Sequence, residues 1–225
     1  MIEISIEPAF SRALPDYKCL QIEFLTENSE TPSLLTSLIN KSCSNIHCSF
    51  QLEDIKTHPA IAATRKAYKI FGKDPNRYRP SAEALYRRAV MGKELYTINT
   101  LVDMINLLSL YTGYSIGGFD MDKIEGNQLV LSVGKEGEPF EAIGRGPLNI
   151  SGLPVFRDSI GGIGTPTSDN ERTKLSLDTT RVLMTVNMYE DYVSVEETIE
   201  YLQALLKEFA PYSSFSYKIV TPCKE

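Results

Sequence analysis

The sequence predicts an α+β protein: a single compact domain spanning residues 1–225, with a mixed β-sheet and flanking helices. Three observations carry that expectation. Segments of period two lie at both ends of the chain, at Ile2-Glu-Ile-Ser-Ile6 and Phe215-Ser-Tyr-Lys-Ile219. Helical patterns crowd into the first half and strand patterns into the second. No repeat or low-complexity linker divides the 225 residues, and a chain of that size buries roughly 70% of its unfolded surface around one core.

The elements follow in order. Ile2, Ile4 and Ile6, then Leu20, Ile22 and Phe24, alternate as half-buried strands. Thr31-Pro32-Ser33 opens a helix carrying Leu34, Leu35, Leu38 and Ile39, with Pro32 near its first turn. A second helix runs from about Pro59 to Phe71 and stops at Gly72, with Ile61, Tyr68 and Phe71 on its apolar face. Lys73-Asp-Pro-Asn-Arg-Tyr-Arg-Pro80 is a turn-rich basic connection, after which Ser81 caps a short helix through Met91.

From Asn99 to about Thr112 the chain is a nearly all-apolar helix, the mark of a buried one. Its exceptions, Asn99, Asp103, Asn106 and Ser109, form one polar stripe at spacings of four, three and three. Unpaired buried polar groups cost about 1–3 kcal/mol each. The stripe therefore either caps neighbouring backbone or lines a polar pocket.

Past Gly113, the stretch Tyr114–Asp120 leads to strands at Gln128–Val133 and Pro154–Asp158, and Gly117-Gly118 allows close approach to the backbone. Gly161-Gly-Ile-Gly-Thr-Pro-Thr-Ser-Asp169 reads as a glycine- and hydroxyl-rich loop without the lysine of a Walker motif. Arg181–Met188 is a strand. Ser194-Val-Glu-Glu197 is a capping box opening a helix that Pro211 ends, and the last strand carries Phe215, Tyr217 and Ile219.

Composition narrows the function classes. Apolar residues make up 42% and charged residues 23%, values that exclude disordered, collagenous and coiled-coil chains. Polar residues interrupt the best apolar run, so no membrane helix is expected. The start of the chain lacks a basic region and a long apolar stretch, so a cytoplasmic location is expected. The four cysteines form no Cys-x-x-Cys pair, and Cys43, His47 and Cys48 fall short of a four-ligand zinc set. No metal or other cofactor is expected.

The net charge is −6, yet Lys56–Lys93 holds ten basic and two acidic residues on an otherwise acidic chain. That segment is either a solvated helix face or a patch for an anionic partner. No Gly-x-Ser-x-Gly elbow is present, and with only two histidines, His47 and His58, no triad is specified.

Pro80-Ser-Ala-Glu-Ala-Leu-Tyr-Arg-Arg88, Ile98-Asn-Thr-Leu-Val-Asp-Met-Ile-Asn106 and Gly113-x-x-x-Gly-Gly-Phe-Asp120 resemble the B3/B4 unit of the phenylalanyl-tRNA synthetase beta subunit. Free-standing proteins built on that unit resemble the chain more closely. The similarity continues through Gly137-Glu-Pro-Phe-Glu141 and Asp169-x-Glu-Arg-Thr173, and is good from about Arg79 to Thr185. It implies a B3/B4-like fold and an editing domain, which hydrolyses a wrongly attached amino acid. Carried onto this chain, it implies Asp103 and Asn106 in the pattern Val-Asp-x-Thr-Asn, with Ile105 at the pattern's threonine. Gly117 stands at the usual histidine and Thr185 near the usual glutamate.

The expected function is therefore binding of the aminoacyl end of tRNA and hydrolysis of a mischarged aminoacyl-tRNA in trans. A non-catalytic tRNA or amino-acid binding module, or a hydrolase of another small ester or amide, is the alternative. Asn106, Asp103 and Thr185 are the catalytic candidates. Asn99, Ser109, Gly117, Gly118 and Asp120 are expected to line the pocket, with Gly162, Gly164, Thr165 and Thr167 closing it. Arg65, Lys66, Lys69 and Arg77, then Arg79, Arg87, Arg88 and Arg172, are the candidates for RNA contact. The partners implied are the tRNA acceptor end, held transiently, and an aminoacyl-tRNA synthetase, with no DNA and no membrane.

Overall fold

The computed structural model describes residues 2–223; Met1 and residues 224–225, the ends of the expected span, lie outside it. In chain order the elements are β1 (Glu3–Ile6), α1 (Pro8–Ala13), β2 (Lys18–Thr26), α2 (Ser33–Ser49), α3 (Pro59–Ile70), α4 (Ser81–Val90) and α5 (Thr100–Thr112). There follow β3 (Ser115–Asp120), β4 (Gln128–Val133), β5 (Glu141–Ala142), β6 (Gly146–Pro147), β7 (Pro154–Arg157) and β8 (Gly162–Gly164). β9 (Arg181–Met188), α6 (Val195–Phe209) and β10 (Tyr212–Val220) complete the chain.

The α+β class holds, and the sheet is divided. One four-stranded sheet has the order β10-β2-β9-β3 and is antiparallel throughout. The other, β1-β4-β7-β8, is mixed: β1 runs parallel to β4, and the remaining pairs are antiparallel. A short ribbon joins β5 to β6.

The antiparallel sheet is the middle layer. Leu20, Ile22, Phe24, Val182, Met184 and Val186 join the helices α2, α4, α5 and α6 in one core. Cys19, Phe119 and Leu183, on the opposite face of the same strands, join Ile4, Leu129, Leu131 and Phe156 of the mixed sheet in a second core. β2 is consequently buried on both faces over most of its length, where alternation alone predicts a half-buried strand.

Several local expectations are corrected. Pro80, not Ser81, is the N-cap of α4, and the Ser81 amide is satisfied instead by Pro166 O at 2.8 Å. Ser115–Asp120 is itself a strand, because Ser115, Gly117 and Phe119 pair with Asn187, Thr185 and Leu183 of β9. Gly162–Gly164, read as loop, is strand β8: Gly164 pairs with Phe156, and a glycine-rich strand carries no period-two signal. α1 has too little apolar pattern to be foreseen. Ser194 caps α6 through the Glu197 amide, but the Glu197 carboxylate accepts from Tyr111 rather than closing a capping box.

α5 ends at Gly113, which has φ 73° and donates its amide to Ser109 O. The left-handed turn is also a contact surface, since a methyl on Gly113 would lie 2.3 Å from His58 Cε1. His58 is thereby held among Phe50, Tyr86 and Tyr192, and burial lowers its pKa. No helix of the described residues is long and apolar enough to cross a membrane.

Candidate active site between the two sheets

The polar stripe of α5 is mostly spent on backbone. Asn99 caps its own helix by accepting from the Val102 amide, and its Nδ2 reaches Leu175 O at 3.5 Å. Asp103 accepts from the Thr31 hydroxyl at 2.5 Å and from the Ile98 amide. Burial raises its pKa against the effect of those two donors. Ser109 donates to Tyr114 O at 2.7 Å. Asn106 alone of the four is half-buried with its side chain unengaged.

Thr185 stands on a different face. Successive residues of β9 alternate between the cores, so Thr185 points with Leu183 toward the mixed sheet while Met184 faces the helices. The catalytic candidates Asp103 and Asn106 are thus separated from Thr185 by the thickness of the antiparallel sheet. The positions that depart from the synthetase pattern divide the same way. Ile105 meets Gly118 on the helical face, where a methyl on Gly118 would lie 2.5 Å from Ile105 Cδ1. Gly117 meets Thr185 on the inter-sheet face.

That inter-sheet face holds the densest unsatisfied chemistry near these strands. Gln21, Thr185 and Gly117 are register partners across β2, β9 and β3. Gln21 Oε1 and Thr185 Oγ1 are both buried without a hydrogen-bond partner. Orphaned buried groups are rare enough to demand a reason. A methyl on Gly117 would lie 2.9 Å from Thr185 Oγ1 and 2.7 Å from Phe119 Cζ; one on Gly164 would lie 2.5 Å from the same ring tip. Phe119 therefore fills the space between the two glycines.

Beyond the ring lies Asp169, a residue that sequence reasoning placed in a motif but not in the site. Its Oδ2 accepts the Gly118 amide at 3.1 Å, off the edge of β3 that faces away from β9. The Gly118 N–H is therefore committed to Asp169 and is no free oxyanion donor. Asp169 Oδ1 sits 2.8 Å from where a Gly164 methyl would be. Burial pushes the Asp169 carboxyl up to about 7, only partly offset by the Gly118 amide.

The other expected pocket residues have local duties. Asp120 accepts from the Asp122 amide and the Thr179 hydroxyl and pairs with Lys123. Thr165 Oγ1 accepts the amides of Thr167 and Ser168, fixing the turn. Thr167 shares a 2.8 Å bond with the buried Tyr68 hydroxyl. Gly162 makes room for Phe140 and Val155.

The basic segment divides in two. Arg65 is buried against Glu83 at 2.7 Å and also donates to Pro75 O and Asn76. Arg79 joins Glu83 at 3.5 Å. Arg88 donates to Glu94 O and lies over Tyr96, and Arg172 forks onto Asp158. Lys66, Lys69 and Arg77 are exposed, with Arg87 half-buried. Lys66 lines a cleft of about 1050 Å³ whose walls include Tyr17 and Tyr189. Those rings meet at a tilt of 49° with centroids 4.9 Å apart, and the buried Tyr189 hydroxyl has no partner.

The B3/4 domain family model matches residues 63–210, a span that contains α4, α5, β3 to β9 and Gly117, Asp169 and Thr185, with Gln21 of β2 outside it. An N-terminal fragment of the phenylalanyl-tRNA synthetase beta-subunit from Pyrococcus horikoshii is similar at 14% identity and a TM-score of 0.43, over 96% of this chain and 50% of that one. This chain thus spans half the length of that fragment. No curated protein matches the sequence. With more than half of its residues inside the family match, the chain belongs to the B3/4 domain family.

Proposed function

We propose that the chain binds the aminoacyl end of a tRNA and hydrolyses a mischarged aminoacyl-tRNA in trans. Family membership supports the reading, since the B3/4 domain is related to the phenylalanyl-tRNA synthetase beta subunit. The observation that carries it is the buried Thr185 hydroxyl, unpartnered and facing Gly117, with the Asp169 carboxyl across the Phe119 ring. Ester hydrolysis needs a positioned water and a way to take its proton, and both tasks fall to groups of that kind. Lys66, Lys69 and Arg77 give phosphates an exposed landing surface beside an otherwise acidic body.

The test is deacylation of a panel of radiolabelled, deliberately mischarged tRNAs by purified protein, with Thr185→Val and Asn106→Ala in parallel. Selective loss of one aminoacyl species, slowed by Thr185→Val, supports the reading on the inter-sheet face. Loss slowed only by Asn106→Ala moves the chemistry to α5. One observation favours a second reading, a binding module without turnover: the Phe119 ring fills the space between Gly117 and Gly164. Retained tRNA binding with no turnover across the panel selects it.

A further inference from the structure

We propose that Asp169 is the base that takes the proton of the attacking water, an inference that rests on the hydrolytic reading above. The geometry is specific. The Gly118 amide holds Oδ2 at 3.1 Å and so fixes the carboxylate plane against the edge of β3. Oδ1 has no hydrogen-bond donor among the described residues, and it lies beside the Phe119 ring tip so close to Gly164 that a methyl there would sit 2.8 Å from it. A carboxylate with one oxygen clamped and the other unengaged is oriented without being saturated, the condition a general base requires.

Nothing charged competes for it. β3 presents Gly118 and Phe119, β8 presents Gly164, and Ile143, just after β5, donates its amide to the Asp169 carbonyl. In the turn that follows, Glu171 pairs with Lys174 and Arg172 with Asp158. No cation faces Asp169 from these elements, and burial against them raises its pKa to about 7. A base of that strength is half ionised near neutral pH and still accepts a proton readily.

The step balances within the residues and substrate. The water oxygen bonds to the ester carbonyl carbon while one water proton passes to Asp169 Oδ1. The bond from that carbon to the terminal ribose oxygen then breaks, and the ribose oxygen takes up the proton Asp169 received. The products are the free amino acid and the uncharged tRNA, with Asp169 returned to its carboxylate.

The experiment is single-turnover deacylation from pH 5 to 9 by the full chain, using the mischarged tRNA that the panel selects, for wild type, Asp169→Asn and Asp169→Ala. Asparagine keeps an acceptor for the Gly118 amide, and circular dichroism with urea titration checks that both variants fold. The wild-type rate should climb with pH and level off near the carboxyl's pKa. Asp169→Asn should lose that limb and about 10²–10⁴-fold in rate. Added formate should restore turnover to Asp169→Ala, a rescue that a merely structural role would not give. Wild-type turnover with an unchanged rate and pH limb in Asp169→Asn overturns the proposal alone. Absence of wild-type turnover overturns it together with the hydrolytic reading.

Discussion

Thr185 and Gly117 face one another as register partners across β9 and β3, and the Thr185 hydroxyl finds no partner in that pairing. A buried hydroxyl left unpaired costs about 1–3 kcal/mol, whereas an apolar group of the same shape costs nothing of the kind. Thr185→Val is isosteric, so it should raise stability by about 1 kcal/mol in urea denaturation while weakening any ligand that uses the hydroxyl. A variant less stable than wild type would mean that the hydroxyl already has a bound water. The expected exchange of stability against function is what a site residue, as opposed to a packing residue, shows.

Gly118 and Ile105 make the corresponding contact on the helical face. A methyl on Gly118 would sit 2.5 Å from Ile105 Cδ1 and 3.0 Å from Leu175 Cδ1, both side-chain ends that can give way. Gly118→Ala should therefore cost about 1–3 kcal/mol by overpacking. Ile105→Val removes the clashing Cδ1 and alone costs about 0.5–1.5 kcal/mol. The double variant should be more stable than the two single losses added together, and additive losses in urea titration would sink the claim that these atoms meet.

The ion pairs separate structural from RNA-facing cations. Arg65 and Glu83 are both buried, so Arg65→Ala leaves an uncompensated carboxylate with only the 3.5 Å approach of Arg79. Breaking such a pair costs about 3–5 kcal/mol. Lys66→Ala and Lys69→Ala remove exposed charges and should leave the melting temperature nearly unchanged. Each should instead weaken tRNA binding and flatten the dependence of log K on log salt by about 0.7–0.9. Unaltered tRNA affinity in the lysine variants would remove this surface from the function.

Much of the helical pattern was legible because its residues are local in sequence and strongly patterned: the apolar run of α5 stops at Gly113, and Ser194 caps α6. β3 and β8 were not, because glycine carries no period and both strands form only through partners far along the chain. The site was legible in part. Resemblance brought Gly117, Gly118 and Thr185 to one neighbourhood, but a linear pattern carries no information on which face of a sheet a residue takes. The α5 stripe satisfies neighbouring backbone with three of its four members. Asp169 gave only a motif signal, since the feature that distinguishes it, one carboxylate oxygen held by an amide of β3, exists only after the chain has folded.

Asp169 also makes a prediction about stability that needs no substrate. Its folded-state pKa is about 7, while an unfolded aspartate titrates near about 3.9. The native state therefore binds the proton more tightly, and the stability it gains is fully present only below the unfolded value. As pH rises through that window the unfolded carboxyl loses its proton while the native one keeps it, so stability falls until the folded pKa is passed. Asp169→Asn cannot ionise, so its stability relative to wild type should rise between pH 4 and 7 and stay constant above. Glu138 and Asp158 have lowered pKa values through Arg157 and Arg172 and add stability in the opposite direction. Comparing the variant with wild type at each pH by urea titration cancels their contribution. A difference that stays flat across the window would place the Asp169 pKa at an ordinary value and take away the driving force for its role as a base.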